Sequence, residues 1–421
     1  MALNLLETVQ EDTSITSQQL FPFNPINGTQ YNNAGIVQIN IENQAEYFLP
    51  SQSWLQIDGR LLHDNDGAYA AGDNVALVNN APMYCFSNIK YHLGGNVIES
   101  VNEPGQATTM MGLLKYERSS PGLSQCWTID TSDKAEDANT GWKKRKDYML
   151  SSTPTTGHFS FAISLAHIFG FTEDYDKAVF GLRHSLQLNR KASSNDGIFR
   201  ANGVAVGKIN ITRVTWWMPR ILPSTLEGFE LTKLLGKNIT LQVGFRGREC
   251  DVVGLPVGST SHTWNLGVKN ERPRFIIVGL QTAKGDNQEH NPALFDHCRV
   301  SRMKVLLNSV EYPAIDYQTD FLKNEYAGYY KAMNDFKQSF YGVEKMISDC
   351  SIDADDFKNL YPLFVFDVSR QIDKLKDSVV DVSVRMEFGV AIPADTSAFA
   401  LTISDRKLTF QSSGNKFSVV F

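Results

Sequence analysis

Short runs of alternating apolar and polar residues recur along the whole sequence and constrain its fold more than any other feature. In the most regular run, Val380, Val382, Val384 and Met386 alternate with polar or charged residues. Because successive side chains of a strand point to opposite faces, this pattern predicts antiparallel sheets with one buried face. Further strand-like runs occupy residues 37–41, 55–59, 89–93, 159–165, 186–188, 209–211, 214–217, 239–245, 275–278 and 305–307. The sequence therefore predicts an all-β protein.

The length of the chain and two closely spaced prolines predict two domains. A single hydrophobic core stops growing at roughly 250–300 residues, and this chain has 421. The strand pattern is interrupted at Pro219 and Pro223 and then restarts, so we assign residues 1–222 and 223–421 to separate domains. About eight strands fall in each half, which is typical of a jelly roll. The predicted fold is all-β: two tandem eight-stranded antiparallel jelly-roll β-sandwiches, with one or two short helices in the connections.

Two segments depart from the strand pattern and predict helices. In the longer segment, apolar residues are spaced four, three, four, three and four positions apart, as on one face of an amphipathic helix. A shorter helix is predicted at residues 108–116. The apolar stripe of the longer helix consists of Leu322, Tyr326, Tyr329, Met333, Phe336 and Phe340.

Three dipeptides predict tight turns between neighbouring strands. Gly94-Gly95 suits a two-residue hairpin, because glycine readily adopts the positive φ that such a turn requires. Asn308-Ser309 is the second predicted turn. The third, Asp405-Arg406, would join residues 399–403 to residues 408–410 as the last hairpin of the chain.

Residues 126–147 lack clear alternation and predict a long exposed loop. They contain the basic run Lys143-Lys144-Arg145-Lys146, which is compatible with a nucleic-acid patch or a nuclear localisation signal. Four basic residues are few for either role. We therefore favour a solvated loop face.

The charge balance and the cysteines narrow the functional class. The chain carries 40 Lys and Arg against 46 Asp and Glu, a net charge of −6, whereas proteins that coat nucleic acid carry a basic excess. The five cysteines lack a C-x-x-C spacing, which argues against a zinc site or a disulfide framework and favours a reducing compartment. We expect neither a signal peptide nor a membrane-spanning segment.

The residues that most often carry chemistry form no recognisable motif. The eight histidines include no H-E-x-x-H or H-x-H spacing for a metal. Asp349, Asp353, Asp355 and Asp356 lack the glycine and glutamate of a calcium loop, so helix capping is the favoured interpretation. Residues 203–209 are too short for a phosphate-binding loop, and G-x-S-x-G is absent. We therefore predict no catalytic, cofactor-binding or metal-binding residues, and a protein that is not an enzyme.

Six segments, in the same order along the chain, resemble segments of double jelly-roll major capsid proteins of the Polinton/Maverick and virophage type. This family belongs to the adenovirus-like structural lineage of double-stranded DNA viruses. No single segment is specific, but their order and strand pattern together are. The segments are residues 79–99, 167–177, 273–282, 291–298, 361–369 and 392–406.

The resemblance implies a structural function in assembly, with long exposed loops for which residues 126–147 and 246–272 are the candidates. It implies a homotrimer with a pseudo-hexagonal outline that tiles an icosahedral virion shell around a double-stranded DNA genome. The implied partners are other copies of the chain, penton and minor capsid proteins and an internal membrane, without sequence-specific nucleic-acid binding. Assembly would occur in the host cytoplasm or nucleus.

Two alternatives remain open on the sequence. The first is a non-catalytic β-sandwich binding module, lectin-like or a domesticated capsid protein; a lectin-like module would be supported by a secretory signal and paired cysteines. The second is a jelly-roll enzyme of the cupin type, which needs clustered His and Glu metal ligands.

Overall fold

The structure, a computed structural model, describes residues 13–28, 31–32, 34–118, 120–151, 156–237, 239–269, 271–343, 351–371, 379–413 and 416–420. All strand pairs in these ranges are antiparallel. They form two successive β-sandwiches, which confirms the predicted fold class.

The first sandwich is built from strands that lie before residue 224. Its strands are β1 (Ile15–Phe23), β2 (Gly35–Ile41), β3 (Tyr47–Phe48), β4 (Trp54–His63), β5 (Val75–Leu77), β6 (Phe86–Leu93), β7 (Asn96–Asn102), β8 (His158–Ser164), β9 (Val179–Phe180), β10 (His184–Arg190), β11 (Ile198–Arg200) and β12 (Gly207–Pro223). One sheet has the order β8-β4-β12-β3-β9, with β1 also paired to β12, and the other has the order β2-β10-β6-β7. Between the sheets, the rings of Tyr91 and Trp216 meet edge to face. Strands β5 and β11 form a separate ribbon.

The second sandwich is built from strands that lie after residue 239. Its strands are β13 (Thr240–Gly254), β14 (Ser261–Lys269), β15 (Arg272–Thr282), β16 (Val300–Leu307), β17 (Val310–Tyr312), β18 (Leu363–Asp367), β19 (Val380–Phe388), β20 (Thr396–Ser413) and β21 (Lys416–Val420). One sheet has the order β13-β20-β15-β18, with β21 also paired to β20, and the other has the order β14-β19-β16-β17. The two sheets of the first sandwich therefore contain ten described strands and those of the second contain nine, against the eight expected in each, because short strands such as β3, β9 and β17 extend the sheets.

More helices occur in the connections than the one or two expected. The α-helices of the described residues are α1 (Ala81–Tyr84), α2 (Pro104–Lys115), α3 (Thr140–Leu150), α4 (Leu165–Ile168), α5 (Gly170–Asp174), α6 (Thr225–Leu235), α7 (Ala327–Tyr341) and α8 (Ala354–Asn359). Short 3-10 helices lie at Pro50–Gln52, Leu123–Gln125 and Asn195–Gly197.

The predicted helices are confirmed, with shifted ends. Helix α7 buries four members of the predicted stripe and ends at Tyr341, where Gly342 caps the last turn with a positive φ of 66°. The first member of the stripe, Leu322, lies in a turn before α7 and is 65% exposed. Helix α2 starts four residues earlier than predicted, with Pro104 in its first turn, a favoured position for proline.

The turn and strand predictions had mixed outcomes. Gly94-Gly95 joins β6 to β7 and Asn308-Ser309 joins β16 to β17, all four with positive φ, as predicted. The predicted hairpin at Asp405-Arg406 is wrong, because β20 continues through it and pairs with β13 on one side and β15 on the other. Residues 209–211 and 214–217 belong to one strand, β12, where a β-bulge shifts the alternation.

The first predicted loop is confirmed at residues 131–138, which are largely exposed, whereas the rest of that segment and most of the second are not exposed loops. Residues 125–130 are buried, and the basic run lies on α3, where Arg145 and Lys146 are buried instead of forming a solvated face. In the second segment, β13 continues to Gly254 and β14 begins at Ser261. Polar residues in both segments are accommodated by partners that are distant in sequence.

The hydrophobic cores of the two sandwiches are continuous. Buried apolar side chains from both halves form one connected cluster. Phe171 of α5 packs edge to face on Phe245 of β13, at a centroid distance of 5.4 Å, and so links the two halves directly. The relative position of the sandwiches is therefore fixed by packing as well as by the connecting chain.

Candidate functional site: the junction between the two sandwiches

Two edge strands, one from each sandwich, face each other at the junction. Glu99 on β7 is fully buried, and one of its carboxylate oxygens accepts the backbone N–H of Arg248 on β13 at 2.8 Å. The same carboxylate accepts the N–H groups of Gly170 and Phe171 at the start of α5, each at 3.0 Å. One side chain thus satisfies backbone donors from both sandwiches, at an edge that would otherwise be open to further strand pairing.

A buried ion pair crosses the junction beside Glu99. The Arg248 guanidinium binds the Glu173 carboxylate of α5 and donates to the His167 carbonyl at 2.7 Å. Glu173 also binds the ammonium group of Lys115 and accepts the Tyr341 hydroxyl at 2.9 Å. Because each charge has several partners, the cost of burying these groups is offset by hydrogen bonds as well as by charge.

The next carboxylate of α5 makes a parallel set of contacts. Asp174 accepts the backbone N–H of Arg246 at 2.8 Å and its Nε at 2.9 Å. The guanidinium of Arg246 lies 3.7 Å from the centroid of the Phe340 ring, a cation–π contact with α7. A Cβ at Gly170 would lie 1.7 Å from the Arg246 carbonyl oxygen, so only glycine allows this close approach.

A second buried ion pair lies at another contact between the first half and the second sandwich. Asp130 and Arg145, both within the first half, pair at 2.6 Å and are almost completely buried. The other carboxylate oxygen of Asp130 accepts the amide of Asn291 at 2.9 Å, and its carbonyl accepts the Tyr361 hydroxyl at 3.0 Å. The Arg145 Nε donates to the Leu77 carbonyl at 2.7 Å. The polar segment predicted as a solvated loop therefore contacts the second sandwich.

Two further contacts extend the junction along its length. The Tyr84 hydroxyl donates to the carbonyl of Pro292 at 2.9 Å. The Gln288 side-chain amide pairs with the backbone of Gly207, accepting its N–H at 2.9 Å and donating to its carbonyl at 2.6 Å. Side chains with two hydrogen bonds to backbone fix both distance and orientation.

The pKa shifts at the junction reflect burial and ion pairing. Burial raises the pKa of the Glu99 carboxyl, and the charges of Arg406 and Arg248 oppose this only in part. Burial also raises the pKa of Glu173, but the charges of Arg248 and Lys115 outweigh it and hold that pKa below its ordinary value. Burial lowers the pKa of His167, and the nearby cations lower it further.

A cleft of about 1140 Å³ lies beside the junction and carries both signs of charge in equal number. Five acidic and five basic residues line it. Within it, Arg274 pairs with Asp405 at 2.8 Å and Arg406 pairs with Glu271 at 2.8 Å. With opposite charges already paired, the cleft offers no concentrated charge for an anion or a cation.

The residues considered for chemistry are separated in the structure and have structural partners. His167 and His184 are buried, and their Nδ1 atoms hydrogen-bond to the hydroxyls of Tyr116 and Tyr91 at 3.1 and 2.8 Å. Asp353 caps α8 by accepting the N–H of Asp356 at 2.8 Å, which confirms the capping interpretation. Asp349, and also Cys350, lie outside the described residues.

Metal binding and membrane-spanning helices both find no support in the described residues. No group of three or more His, Cys, Asp or Glu side chains within the described ranges is arranged to hold a metal ion. No helix in the described part of the chain has both the length and the apolar composition of a bilayer-spanning segment.

About half of the junction residues fall within the segments that carry the family resemblance, whereas Arg246 and Arg248 lie outside them. Glu99, Glu173 and Asp174 lie in the first two segments, and Asn291 and Tyr361 lie in two segments of the second half. Sequence reasoning did not identify them as a site, because a charged residue beside a strand is usually solvent-exposed. Their coincidence with the resembling segments is the signal that could have found them.

Comparisons with known proteins agree with this architecture. A family model described as a double jelly roll-like domain matches residues 75–408. Among curated proteins, none matches the chain.

Solved structures with the same fold cover nearly the whole chain. The crystal structure of the mavirus major capsid protein has a TM-score of 0.60 at 11% identity, covering 100% of this chain and 93% of that one. The Sputnik virophage structure by cryo-EM has a TM-score of 0.60 at 10% identity, with 100% and 91% coverage. A quasi-atomic model of the PBCV-1 virus capsid has a TM-score of 0.60 at 9% identity, with 99% coverage of both chains. The family match and the two joined sandwiches together show that the chain belongs to the double jelly roll-like domain family.

Proposed function

We propose that this chain is the major capsid protein of a double-stranded DNA virus, of the Polinton/Maverick and virophage type. In this function, three copies form a trimer with a pseudo-hexagonal outline, and the trimers tile an icosahedral shell. Such a shell needs each chain to present two sandwiches in a constant orientation, because every trimer must contribute six equivalent lobes.

The observation that carries the proposal is the buried junction between the sandwiches. Glu99 bonds to backbone of both halves, and the pair of Glu173 with Arg248 is nearly excluded from solvent. Relative motion of the sandwiches would break these contacts and expose the charges, at a cost of several kcal/mol. This rigidity supports a structural role, in which each protomer must keep a fixed shape in order to assemble. The solved structures of similar fold that are capsid proteins support it independently.

We assign the N-terminal jelly roll to residues 1–222 and the C-terminal jelly roll to residues 223–421. The strand β12 ends at Pro223 and β13 begins at Thr240, with α6 between them, which supports a boundary close to Pro223. The described strands before this boundary pair only with one another, and so do the described strands after it. The buried apolar side chains of both domains nevertheless form one connected core.

The same proposal specifies the partners and the location of the protein. The partners are copies of the chain itself, penton and minor capsid proteins and, at the base of the shell, an internal membrane. The protein acts in the virion after assembly in the host cytoplasm or nucleus. It acts without catalysis and without sequence-specific binding of nucleic acid.

The mass of the purified protein in solution tests the proposal. Light scattering should give a species of three times 47.1 kDa, about 141 kDa. A monomer at every concentration would overturn the trimer and favour a binding module that acts alone.

A further inference from the structure

Helix α6, which follows the first sandwich, has an uncovered apolar face. Leu226 is 82% exposed, Phe229 67% and Leu234 44%. None of its described side chains is buried. A helix of 11 residues is marginal in water by itself, because helices in proteins are stabilised mainly by packing of their apolar face. The face of α6 therefore requires a covering segment.

The uncovered face continues into an apolar groove between the two sandwiches. The groove has a volume of about 120 Å³, enough for one or two apolar side chains. It is lined by Tyr47 and Phe180 of the first sandwich, Leu231 and Leu234 of α6, and Leu241 and Phe410 of the second. A segment that filled it would contact both sandwiches and the helix that connects them.

The first residues that the structure describes lie beside the start of α6. The Ser14 carbonyl accepts the backbone N–H of Ser224, the residue that caps α6, at 2.8 Å. Strand β1 pairs with the end of β12, with Ile15 opposite Pro223 and a register shift between Ile15 and Ser17. Residues 1–12 are therefore tethered next to the start of α6.

The sequence of residues 1–12 suits an apolar groove. It contains Leu3, Leu5, Leu6 and Val9. Twelve residues reach at most about 40 Å when extended, and α6 is about 16 Å long. A tether this short also gives an effective concentration in the millimolar range, far above that of a free partner.

We infer that residues 1–12 of the chain bind to the apolar face of α6 and to its groove. Two other occupants could cover the same face. A second copy of the chain would have to compete with the tethered segment. A bilayer would find no basic cluster on α6, which carries Glu227, Glu230 and Lys233. The inference does not depend on the proposed capsid role.

Hydrogen exchange of the α6 amides tests the inference. The full chain is compared with a chain that starts at Thr13. Removal of residues 1–12 should speed the exchange of residues 225–235 by about tenfold or more, and a synthetic peptide of residues 1–12 should restore protection. Equal exchange in the two chains would overturn the inference.

Point variants of the full chain keep the test valid if the shortened chain does not fold. The double variant Leu5→Glu, Leu6→Glu should reproduce the fast exchange of α6. The matched control Asn4→Glu, Gln10→Glu adds the same charge at polar positions and should exchange like the native chain. Fast exchange in the control, or slow exchange in the leucine variant, would contradict the inference.

Dilution and lipid vesicles distinguish the occupants. Protection by the chain's own segment is independent of protein concentration. Protection of α6 that disappears on dilution would assign the face to a second copy, and protection that appears only with phosphatidylcholine vesicles would assign it to lipid. Either result would overturn the inference, whereas the solution mass is a separate measurement that tests the capsid proposal.

Discussion

The carboxylate of Glu99, on an edge strand of the first sandwich, accepts the backbone N–H of Arg248, on an edge strand of the second, at 2.8 Å. One side chain thereby connects two sheet edges, and open edges of this kind are sites where further strands can pair. The guanidinium of Arg248 then reaches α5 of the first half. Glu99 and Arg248 thus connect the edges of the two sheets, and the ion pair of Arg248 helps to fix the orientation of the two sandwiches.

The first prediction concerns Arg248. Replacement Arg248→Met leaves Glu173 buried without its main partner, and breaking a buried ion pair costs about 3–5 kcal/mol. Urea denaturation should show this loss and a separate unfolding of the two sandwiches. The control Arg385→Met removes an arginine whose side chain is 56% exposed, and should change stability by no more than about 1 kcal/mol. Equal losses in both variants would contradict a special role for the junction.

The second prediction concerns the close approach at Gly170. The variant Gly170→Ala brings a Cβ against the Arg246 carbonyl, so α5 and β13 must separate. We expect a loss of about 1–3 kcal/mol in unfolding free energy, as for other overpacked sites. Gly254→Ala is the matched control, because no atom lies within 4 Å of its added Cβ. A Gly170→Ala protein as stable as that control would exclude the tight contact.

The third prediction is a pH dependence that arises from Glu173. Its pKa in the folded protein lies below its ordinary value, because Arg248 and Lys115 outweigh burial. The stabilisation it provides is therefore complete above the unfolded pKa of about 4.3 and is lost as the pH falls through the folded pKa.

This dependence can be measured by comparing the native chain with Glu173→Gln in denaturant at several pH values. The variant should be less stable at neutral pH, and the difference should shrink steadily in acid below about pH 4. A difference that stays constant from neutral pH to about pH 3 would contradict the assignment.

The fourth prediction tests the packing of α7. Tyr329 is fully buried, and its hydroxyl bonds to both the N–H and the carbonyl of Met303. The variant Tyr329→Asp buries an unpaired charge and should prevent folding. Leu322→Asp changes an exposed residue outside the helix and should leave solubility and melting temperature unchanged. A soluble Tyr329→Asp protein with normal melting would refute this placement of α7.

Regular alternation predicted the strands well wherever one face alone is buried. In β19, buried residues alternate strictly with exposed or half-buried ones, as its sequence indicates. The hairpin expected at Asp405-Arg406 was wrong because these turn-forming residues are held extended by strands on both sides. Their charges pair with Arg274 and Glu271, which lie more than 100 residues away. Local propensity cannot anticipate such partners.

The junction was beyond prediction for a related reason. Arg145 and Asp130 contribute to a polar composition that indicates solvent exposure, yet each neutralises the other in a buried pair. The buried carboxylate of Glu99 is likewise stabilised by hydrogen bonds from backbone N–H groups of α5 and β13. Sequence patterning identifies the two sandwiches, whereas their mutual orientation depends on contacts between residues that are distant along the chain.

Electron microscopy of the purified protein tests the central claim most directly. The account predicts particles with a pseudo-hexagonal outline and six lobes, two from each of three chains, that associate into closed shells. Particles with only two lobes at every concentration would contradict the capsid role, even though the double jelly-roll fold would stand.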